Sequence, residues 1–341
     1  MTQTTGAVLA DEPDPPPPVR RGRVLSVAIW TVVAGFALWA VVRLFGLEAG
    51  YPFIQLISFT PYLAALALPV PLVALVLRRW PAAAVATLTV AALAAAVLPR
   101  GFAAGDPLPA GPTLRVLTAN MMVGAADPAR LVALVRTERV DLLALQEYTP
   151  QAERALDAAG LAGLLPHRSA HPIPGVGGSA LYSRLPLHDD GVRMNPYEFG
   201  QARATVPVPG AAPVVVESVH VTAPASTSPD LGSKVTEAWT RALAAEPPAT
   251  VDGQVHLLLG DFNATLDHAA LRRLIGTGYR DAADVTGQGL SMTWPYDRLF
   301  PRVALDHVLA DRRVGVRRVA VYPIPGSDHR AVLAELVFPP R

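Results

Sequence analysis

Two polar residues directly after a run of leucines form the clearest chemical signal in this chain. Residues 257–259 are three leucines that predict a buried strand, and Gly260 is expected to let the backbone turn sharply at its end. Asp261 and Asn263 follow two positions apart, which places both side chains on one side of an extended segment. A carboxylate can position or deprotonate a water, and an amide can donate a hydrogen bond to a phosphoryl oxygen. The pattern indicates phosphate chemistry; the alternative is a simple turn.

Other polar residues also lie at the ends of predicted strands or in the loops that follow them. A packed scaffold can bring such positions together, and catalytic side chains are often found there. Taken alone, Glu147 has an ordinary alternative as a solvated loop carboxylate, and His220 as a half-buried surface residue. The residues at these strand ends and loops are Asn120, Glu147, Arg184, His220, Asp306, Asp328 and His329.

Composition limits the classes of partner. The chain of 341 residues has no cysteine, which excludes disulfides and thiolate metal sites. Residues 1–100 contain seven arginines and four acidic residues, whereas the remainder contains 22 basic and 24 acidic residues. The larger part is therefore slightly acidic, which disfavours a nucleic-acid partner without excluding one.

Three apolar stretches lie in the first hundred residues, at about 24–46, 53–77 and 80–98. A helix needs about 20 apolar residues to cross a bilayer, so we predict a membrane anchor of three transmembrane helices over 24–99. The prolines of the second stretch predict kinks. A proline-rich disordered tail, 1–23, is expected before the anchor and a linker, 100–112, after it. The alternatives are a cleaved signal peptide for the first stretch and buried helices of a soluble protein for all three.

Arginines predict the orientation of these helices. The clusters at 20–23 and 78–79 place the N-terminus and the second connection in the cytoplasm by the positive-inside rule. Three crossings then put residues 113–341 outside the cell membrane, in a multi-pass protein. Arg43 and Arg100 are exceptions on the outer side, and Arg43 is expected to extend to the membrane interface.

Residues 113–341 mix apolar strand patterns with amphipathic helix patterns, which predicts an α/β domain. Asp127 and Pro128 form a helix start, with Asp127 as the N-cap. Helices are predicted over 128–138, 151–159, 230–246 and 267–275. Strands are predicted over 113–118, 140–145, 180–183, 205–208, 213–219, 257–259, 303–309, 315–322 and 331–337.

Seven short motifs follow one another along this domain. They are Thr-Ala-Asn at 118–120, Leu-Gln-Glu at 145–147, Ser-Ala-Leu-Tyr-Ser-Arg at 179–184, His-Val-Thr-Ala-Pro at 220–224, Gly-Asp-Phe-Asn at 260–263, Leu-Asp-His at 305–307 and Ser-Asp-His at 327–329. The set resembles the endonuclease/exonuclease/phosphatase superfamily. This resemblance implies a DNase I-like four-layered α/β sandwich, with two packed mixed β-sheets flanked by helices. With three transmembrane helices ahead of it, the chain is also similar to the membrane-bound actinobacterial branch that includes the VanJ-type glycopeptide-resistance proteins.

The resemblance implies a metal site. Glu147 matches the main ligand of a divalent ion, usually Mg²⁺ with Mn²⁺ as the alternative, and Asn120 lies beside it. Asp328 matches a second acidic residue near the metal. Oxygen ligands of this kind suit Mg²⁺, and no paired-histidine motif for zinc is present. Arg184 matches an element that is mainly structural, with a contact to substrate as a secondary expectation.

The resemblance also implies the catalytic roles. Asp261 matches the carboxylate that orients or deprotonates the attacking water, and Asn263 matches the amide that binds the phosphoryl oxygens. His329 matches the histidine that contacts the scissile phosphate, and Asp306 the aspartate that orients its imidazole. His220 fits the histidine on the leaving-group side.

These expectations describe a membrane-anchored, metal-dependent phosphoester hydrolase acting outside the membrane. The favoured substrate is a lipid-linked phosphate or pyrophosphate of the undecaprenyl pyrophosphate type, because the short linker keeps the site near lipid headgroups. The alternatives are a sphingomyelinase-like phospholipid phosphodiesterase, an extracellular nuclease, and a catalytically dead membrane-tethered binding module. The nuclease lacks the basic tract that favours backbone binding, and the complete motif set disfavours a dead module.

Overall fold

The computed structural model describes residues 19–225, 229–249, 253–299 and 301–341. Its helices are α1 (Val19–Phe45), α2 (Phe53–Ile57), α3 (Thr60–Ala67), α4 (Val70–Val76), α5 (Trp80–Val97), α6 (Pro128–Thr137), α7 (Pro150–Ala158), α8 (Pro229–Ala244), α9 (Ala269–Gly276) and α10 (Ala282–Val285). Its strands are β1 (Thr113–Asn120), β2 (Leu142–Gln146), β3 (His167–His171), β4 (Ser179–Ser183), β5 (His188–Met194), β6 (Gly200–Val206), β7 (Val214–His220), β8 (Val255–Asp261), β9 (Tyr279–Asp281), β10 (Asp306–Asp311), β11 (Gly315–Pro323) and β12 (Arg330–Val337).

Residues 113–341 form two six-stranded mixed sheets that pack face to face. The strand orders are β11-β12-β1-β2-β4-β3 and β5-β6-β7-β8-β10-β9. Each sheet has one parallel pair at its centre, β1 with β2 and β7 with β8. Apolar side chains of both sheets fill the space between them, while α6 and α7 cover one outer face and α8 and α9 the other. The predicted four-layered α/β sandwich is therefore confirmed.

Local patterns predicted the interior elements better than the edge strands. Asp127 caps α6 as expected, because its Oδ1 accepts the backbone N–H groups of Ala129 and Arg130. The prediction placed the short β9 in a loop, and it missed β3 and β5, whose sequences are polar and largely exposed. Both lie at sheet edges, where the alternation of apolar and polar residues is weak because neither face is fully buried.

Two helices in the described residues are long and apolar enough to cross a membrane, Gly22–Phe45 and Trp80–Gly101. The predicted second spanning helix, 53–77, is divided into α2, α3 and α4, of which Thr60–Val76 is apolar but shorter. Prolines start α3 and α4, and a proline lacks the N–H that would continue the preceding helix. Three long spanning helices were thus predicted and two are found.

The predicted N-terminal tail needs one correction. Helix α1 begins at Val19, so residues 19–23 are helical and do not belong to the tail. The rest of that prediction, residues 1–18, lies outside the described residues.

Helix α2 packs against the α/β domain. Ile54 is buried in the cluster that contains Trp239 and Phe262, and its carbonyl oxygen lies 2.8 Å from His268 Nε2. The region before residue 113 is therefore more than a separate anchor, since it contributes to the outer layer of the domain.

A buried aspartate joins the ends of both long helices to the domain. Arg43, in the last turn of α1, donates from Nε to Asp267 Oδ1 at 2.5 Å. Arg100, directly after α5, donates to both Asp267 oxygens at 2.6 and 2.9 Å. The three side chains are only 8%, 7% and 1% exposed. These are the two arginines that the predicted orientation left as exceptions to the positive-inside rule, and both are paired with this one carboxylate.

Replacing Asp267 with asparagine should lower the melting temperature of the full chain by about 10 °C. The change leaves two buried guanidinium groups without their counterion, which costs about 3–5 kcal/mol. Burial by itself raises the pKa of Asp267, but the two arginines outweigh it and lower that pKa. Because the folded pKa lies below the unfolded value, the stabilisation is present above about pH 4 and is lost as the pH falls further.

Glu237→Gln is the matched control, because Glu237 forms an exposed ion pair with Arg241 on one helix. Thermal unfolding in detergent should show a shift of about 1 °C for that variant. Equal shifts for the two variants would contradict the role of Asp267.

Candidate active site

The ends of three neighbouring strands in the second sheet bring three candidate residues side by side. Strands β7 and β8 are parallel, and their register places His220 beside Asp261. Strands β8 and β10 are antiparallel, and Asp306 pairs with Asp261 from the other side. Side chains at paired positions of adjacent strands point to the same face. His220, Asp261 and Asp306 therefore form a row at one end of the sheet.

The first sheet delivers its candidates to the same place. The parallel strands β1 and β2 end together at Asn120 and Gln146, so that Glu147 follows directly. Asn120 Nδ2 donates hydrogen bonds of 3.1 Å both to Glu147 Oε1 and to Asp261 Oδ2, which belongs to the other sheet. The carboxyl ends of the two parallel pairs thus meet, and the site lies between them.

Gly260 is required by a close approach of two strands, not by the turn expected from the sequence. Strand β8 continues through Asp261, and a Cβ atom at Gly260 would lie 1.9 Å from the Val219 carbonyl oxygen. The extended backbone ends before Asn263, because the φ of Asn263 is +46°. This is a left-handed conformation that asparagine tolerates. Its N–H donates to Asp261 Oδ1 at 2.9 Å. This local turn, and not strand alternation, brings Asn263 next to Asp261.

Glu147 and Asp261 form a carboxylate pair that fits a divalent cation. Both accept from the amide of Asn120, and within the described parts of the chain neither is paired with a lysine or an arginine. Carboxylate oxygens are the ligands that Mg²⁺ prefers. Asn120 turns its NH₂ group to the pair, because its oxygen accepts the Met122 N–H at 2.8 Å. To act as an oxygen ligand, as predicted, it would have to rotate its amide.

His329 lies between two aspartates. Its Nδ1 is 2.9 Å from Asp306 Oδ2, and its Nε2 is 3.6 Å from Asp261 Oδ2. Burial by itself lowers the pKa of His329, but Asp306 and then Asp261 outweigh it and raise the pKa to about 10. The imidazole is therefore a cation at neutral pH and can donate from Nε2 to a phosphoryl oxygen. These three residues also place potential metal ligand atoms within 4.8 Å of one another. We assign the cation to Glu147 because, in the described residues, His329 is paired with both aspartates and not with Glu147.

Asp261 itself has the properties of a base. Burial raises its pKa, His329 opposes this shift, and Asp306 adds to it. A carboxylate whose pKa is raised above the usual range removes a proton from water more readily near neutral pH than an ordinary aspartate does.

His220 differs in charge from His329. Burial lowers its pKa more than Asp261 raises it, so it is neutral at physiological pH. Its Nδ1 lies 3.2 Å from the carbonyl oxygen of Val176, which can only accept, so Nδ1 holds the proton. Nε2 then faces Glu147 Oε1 and Asp261 Oδ2, each at 3.9 Å, as an acceptor. His220 can donate to a leaving oxygen only after it gains a proton.

Asn263 and Asp328 complete the set at the site. Asn263 Nδ2 donates one hydrogen to the carbonyl oxygen of Val221 at 2.8 Å, so its second amide hydrogen is available for a phosphoryl oxygen. Asp328 brings Oδ1 to 3.9 Å from His329 Nε2, while its Oδ2 accepts from Trp294 at 2.9 Å and from Arg298 at 3.4 Å. As a metal ligand, Asp328 would therefore have only Oδ1 free.

Arg184 does not belong to this site, contrary to the expected contact with substrate. It donates to Asp141, which immediately precedes β2, whereas Glu147 follows the other end of the same strand. Five strand residues span about 16 Å. Strand β4 runs antiparallel to β2, so the residue after it lies far from the carboxylates. Arg184 is structural.

Three residues that sequence reasoning did not assign hold the catalytic groups in place. Ser327 Oγ donates to the Asn120 carbonyl oxygen at 2.9 Å and accepts the His329 N–H at 3.1 Å. Thr293 Oγ1 accepts the Asp306 N–H at 3.2 Å. His307 contacts the Ala264 carbonyl oxygen in the loop after Asp261. The contacts of Ser327 with Asn120, of Thr293 with Asp306 and of His307 with Ala264 span 207, 13 and 43 residues of chain and leave no local signal, although Ser327 and His307 lie within the motifs noted above.

Comparison with known proteins identifies the family. The profile of the Endonuclease/Exonuclease/phosphatase family matches residues 117–329, so the chain belongs to this family, whose members are phosphoesterase hydrolases that typically use a divalent metal. Its fold is similar to that of an endonuclease/exonuclease/phosphatase from Beutenbergia cavernae, with a TM-score of 0.52 and 21% identity over 67% of this chain and 72% of that one.

Two further solved structures match this chain with TM-scores below 0.5. Sphingomyelinase C from Streptomyces griseocarneus has a TM-score of 0.44 and 19% identity over 66% of this chain and 99% of its own. D. rerio TDP2, complexed with single strand DNA product, has a TM-score of 0.47 and 15% identity over 66% of this chain and 98% of its own. A search of curated proteins returned no match.

Proposed function

We propose that this protein is a membrane-anchored, divalent-metal-dependent hydrolase of a lipid-linked phosphate or pyrophosphate, of the undecaprenyl pyrophosphate type. The observation that supports this best is the connection between the site and the apolar helices. Asp267 lies six residues after Asp261 in the same loop, and it binds Arg43 and Arg100 at the ends of both long helices. If those helices cross a bilayer, the site is next to its surface.

The side chains suit hydrolysis of a phosphoester or a phosphoanhydride. Asp261 orients and deprotonates the attacking water, while the imidazolium of His329 and the free amide hydrogen of Asn263 donate to phosphoryl oxygens. His220 lies on the opposite side of Asp261 from Asp306 and faces the leaving group. A divalent cation held by Glu147, with Asn120 and Asp328 nearby, would supply positive charge that stabilises the phosphoryl oxygens.

The proposed topology puts the N-terminus in the cytoplasm and the α/β domain outside. Helix α1, the segment Thr60–Val76 and α5 would make three crossings, which place Arg43 and Arg100 on the outer side together with Asp267. This arrangement supports membership of the membrane-bound actinobacterial branch that includes the VanJ-type proteins. Protease added to intact cells should cut the α/β domain; protection of that domain would contradict the topology.

Hydrolysis assays with the full chain in detergent and Mg²⁺ test the function. We expect phosphate release from undecaprenyl pyrophosphate and little release of products from sphingomyelin or DNA. Turnover of sphingomyelin alone would favour a phospholipid phosphodiesterase, and turnover of DNA alone a nuclease. Absence of any turnover that EDTA suppresses would favour a binding module. The full chain is needed because Ile54 is part of the core of the domain.

A further inference from the structure

Exposed apolar side chains are concentrated around the candidate site. In the described part of residues 113–341, eight large apolar side chains are exposed. Four of them belong to residues whose backbone bonds to a site residue or to its chain neighbour, and a fifth follows Arg298, whose side chain contacts Asp328. Single exposed apolar residues are common on proteins, whereas clusters indicate a binding surface. We call the five the apolar rim: Met122, Val123, Ile173, Val176 and Leu299.

One side of the apolar rim is the loop after β1. The Met122 N–H donates to Asn120 Oδ1 and the Val123 N–H donates to Glu147 Oε2, both at 2.8 Å. Both residues have left-handed backbones, with φ of +45° and +54°. That conformation is rare for a β-branched residue such as valine, and residues in such conformations cluster at functional sites. The backbone N–H groups of this loop thus bond to residues of the site, whereas its two apolar side chains are exposed to solvent.

A second side of the apolar rim lies next to His220. The Val176 carbonyl oxygen contacts His220 Nδ1 at 3.2 Å. Ile173 donates its N–H to the carbonyl oxygen of Tyr148, the residue after Glu147, at 3.1 Å. This segment therefore adjoins the side of the site that faces the leaving group.

The third side connects the site to the apolar helices. Leu299 is fully exposed and follows Arg298, whose Nη2 contacts Asp328 Oδ2 at 3.4 Å. Further along the same loop, the Arg302 carbonyl oxygen accepts the hydroxyl of Tyr62, in the first turns of α3, at 2.8 Å. Tyrosine is enriched at membrane–water interfaces. This part of the apolar rim therefore lies close to the level at which α3 would enter a bilayer.

We propose that the apolar rim binds the hydrocarbon chain of the substrate while its phosphate occupies the site between Asp261 and Glu147. This inference rests on the proposed function and specifies that the substrate has an apolar chain directly after its phosphate or pyrophosphate group. A sugar phosphate or a nucleic acid would leave these five side chains in water, whereas a hydrocarbon chain would cover them. Burial of apolar surface then adds affinity that grows with the number of carbon atoms held.

Binding of three diphosphates that differ only in chain length tests the proposal. Isopentenyl, geranyl and farnesyl diphosphate contain the same diphosphate group and one, two and three isoprene units. The full chain in detergent with Asp261→Asn, which suppresses turnover, should bind each longer member about fivefold more tightly than the one before. Adding Val123→Ser, Val176→Ser and Leu299→Ser should reduce the preference for farnesyl over isopentenyl diphosphate to about threefold or less.

Leu108→Ser is the matched control, because Leu108 is also an exposed apolar residue but lies beside Gly315, at the end of the sheet away from the site. It should keep the full preference for longer chains, and partition of the ligands into detergent affects all variants alike. Leu299→Ser alone should give an intermediate loss, and its side chain is too exposed to affect folding.

A dissociation constant that is independent of chain length, or a preference that survives the three substitutions, would overturn the role of the apolar rim. Failure of the proposed function gives a different result, namely no hydrolysis of lipid pyrophosphate by the unmodified chain. Chain-length-dependent binding without hydrolysis would support the role of the apolar rim and contradict the proposed hydrolase activity.

Discussion

Asp261→Asn should reduce kcat by about 10²- to 10⁴-fold, the range that a positioned general base contributes. The side chain is buried, and its Oδ2 is surrounded by the amide of Asn120 and the Nε2 atoms of His220 and His329. Asparagine has almost the same shape but cannot accept a proton from water. We therefore expect the loss in kcat, with KM changed far less, because binding of the phosphate is retained.

Two measurements distinguish a loss of catalysis at Asp261 from a loss of stability. The melting temperature of Asp261→Asn should stay within a few degrees of that of the unmodified chain, since no cavity is created and the variant can still bond to Asn120. Arg184→Gln, at the far end of β2, should leave kcat within about twofold because that residue contacts Asp141 and not the site. A kcat for Asp261→Asn within tenfold of the value for the unmodified chain would contradict the assignment of Asp261 as the general base.

Removal of the metal should abolish turnover, and Glu147→Gln should raise the Mg²⁺ concentration for half-maximal activity at least about a hundredfold. The physical reason is the charge of the site, where Glu147 and Asp261 approach the same amide without a lysine or an arginine near them in the described residues. Glu147→Gln removes the carboxylate to which we assign the ion, and with it negative charge that attracts the ion. Perturbing an outer partner of a metal ligand already costs about 10- to 100-fold in affinity.

Calorimetric titration with Mn²⁺ provides a readout that does not depend on activity. Asp328→Asn separates the two predicted acidic ligands, and we expect a smaller effect of about tenfold because Trp294 and Arg298 already engage Asp328 Oδ2. The exposed Glu237→Gln is the control and should leave metal binding unchanged. A larger effect for Asp328→Asn than for Glu147→Gln would reverse the assignment of the main ligand.

Prediction from the sequence worked best where a side chain follows directly from its strand. Glu147, His220 and Asp261 each end or follow a buried strand, and packed parallel strands bring such ends together. It worked less well for Arg184, because a strand has two ends and a motif does not say which of them meets the neighbouring sheet. It also misjudged Gly260, whose role depends on the approach of Val219 from another strand.

In the N-terminal region, too, local features could be predicted from the sequence, whereas long-range contacts could not. Hydropathy and the prolines were enough to locate the apolar segments and the breaks in the second of them. The pairing of Arg43 and Arg100 with Asp267 spans 224 and 167 residues of chain, and no periodicity connects positions so far apart. The attachment of α2 to the α/β domain through Ile54 likewise depends on a surface that exists only after folding.

The resemblance of the seven motifs to a known family implied the four-layered sandwich. The sequence by itself determined the alternation of strands and helices and the residue types available for phosphate chemistry. It could do so because hydrophobic periodicity and turn chemistry act over a few residues. Only the tertiary structure decided how those residues work together. It set Asn120 between two carboxylates, made His329 a cation and His220 neutral, excluded Arg184, and placed the apolar rim around the site. These properties depend on register, burial and distance between charges, which arise when the two sheets pack against each other.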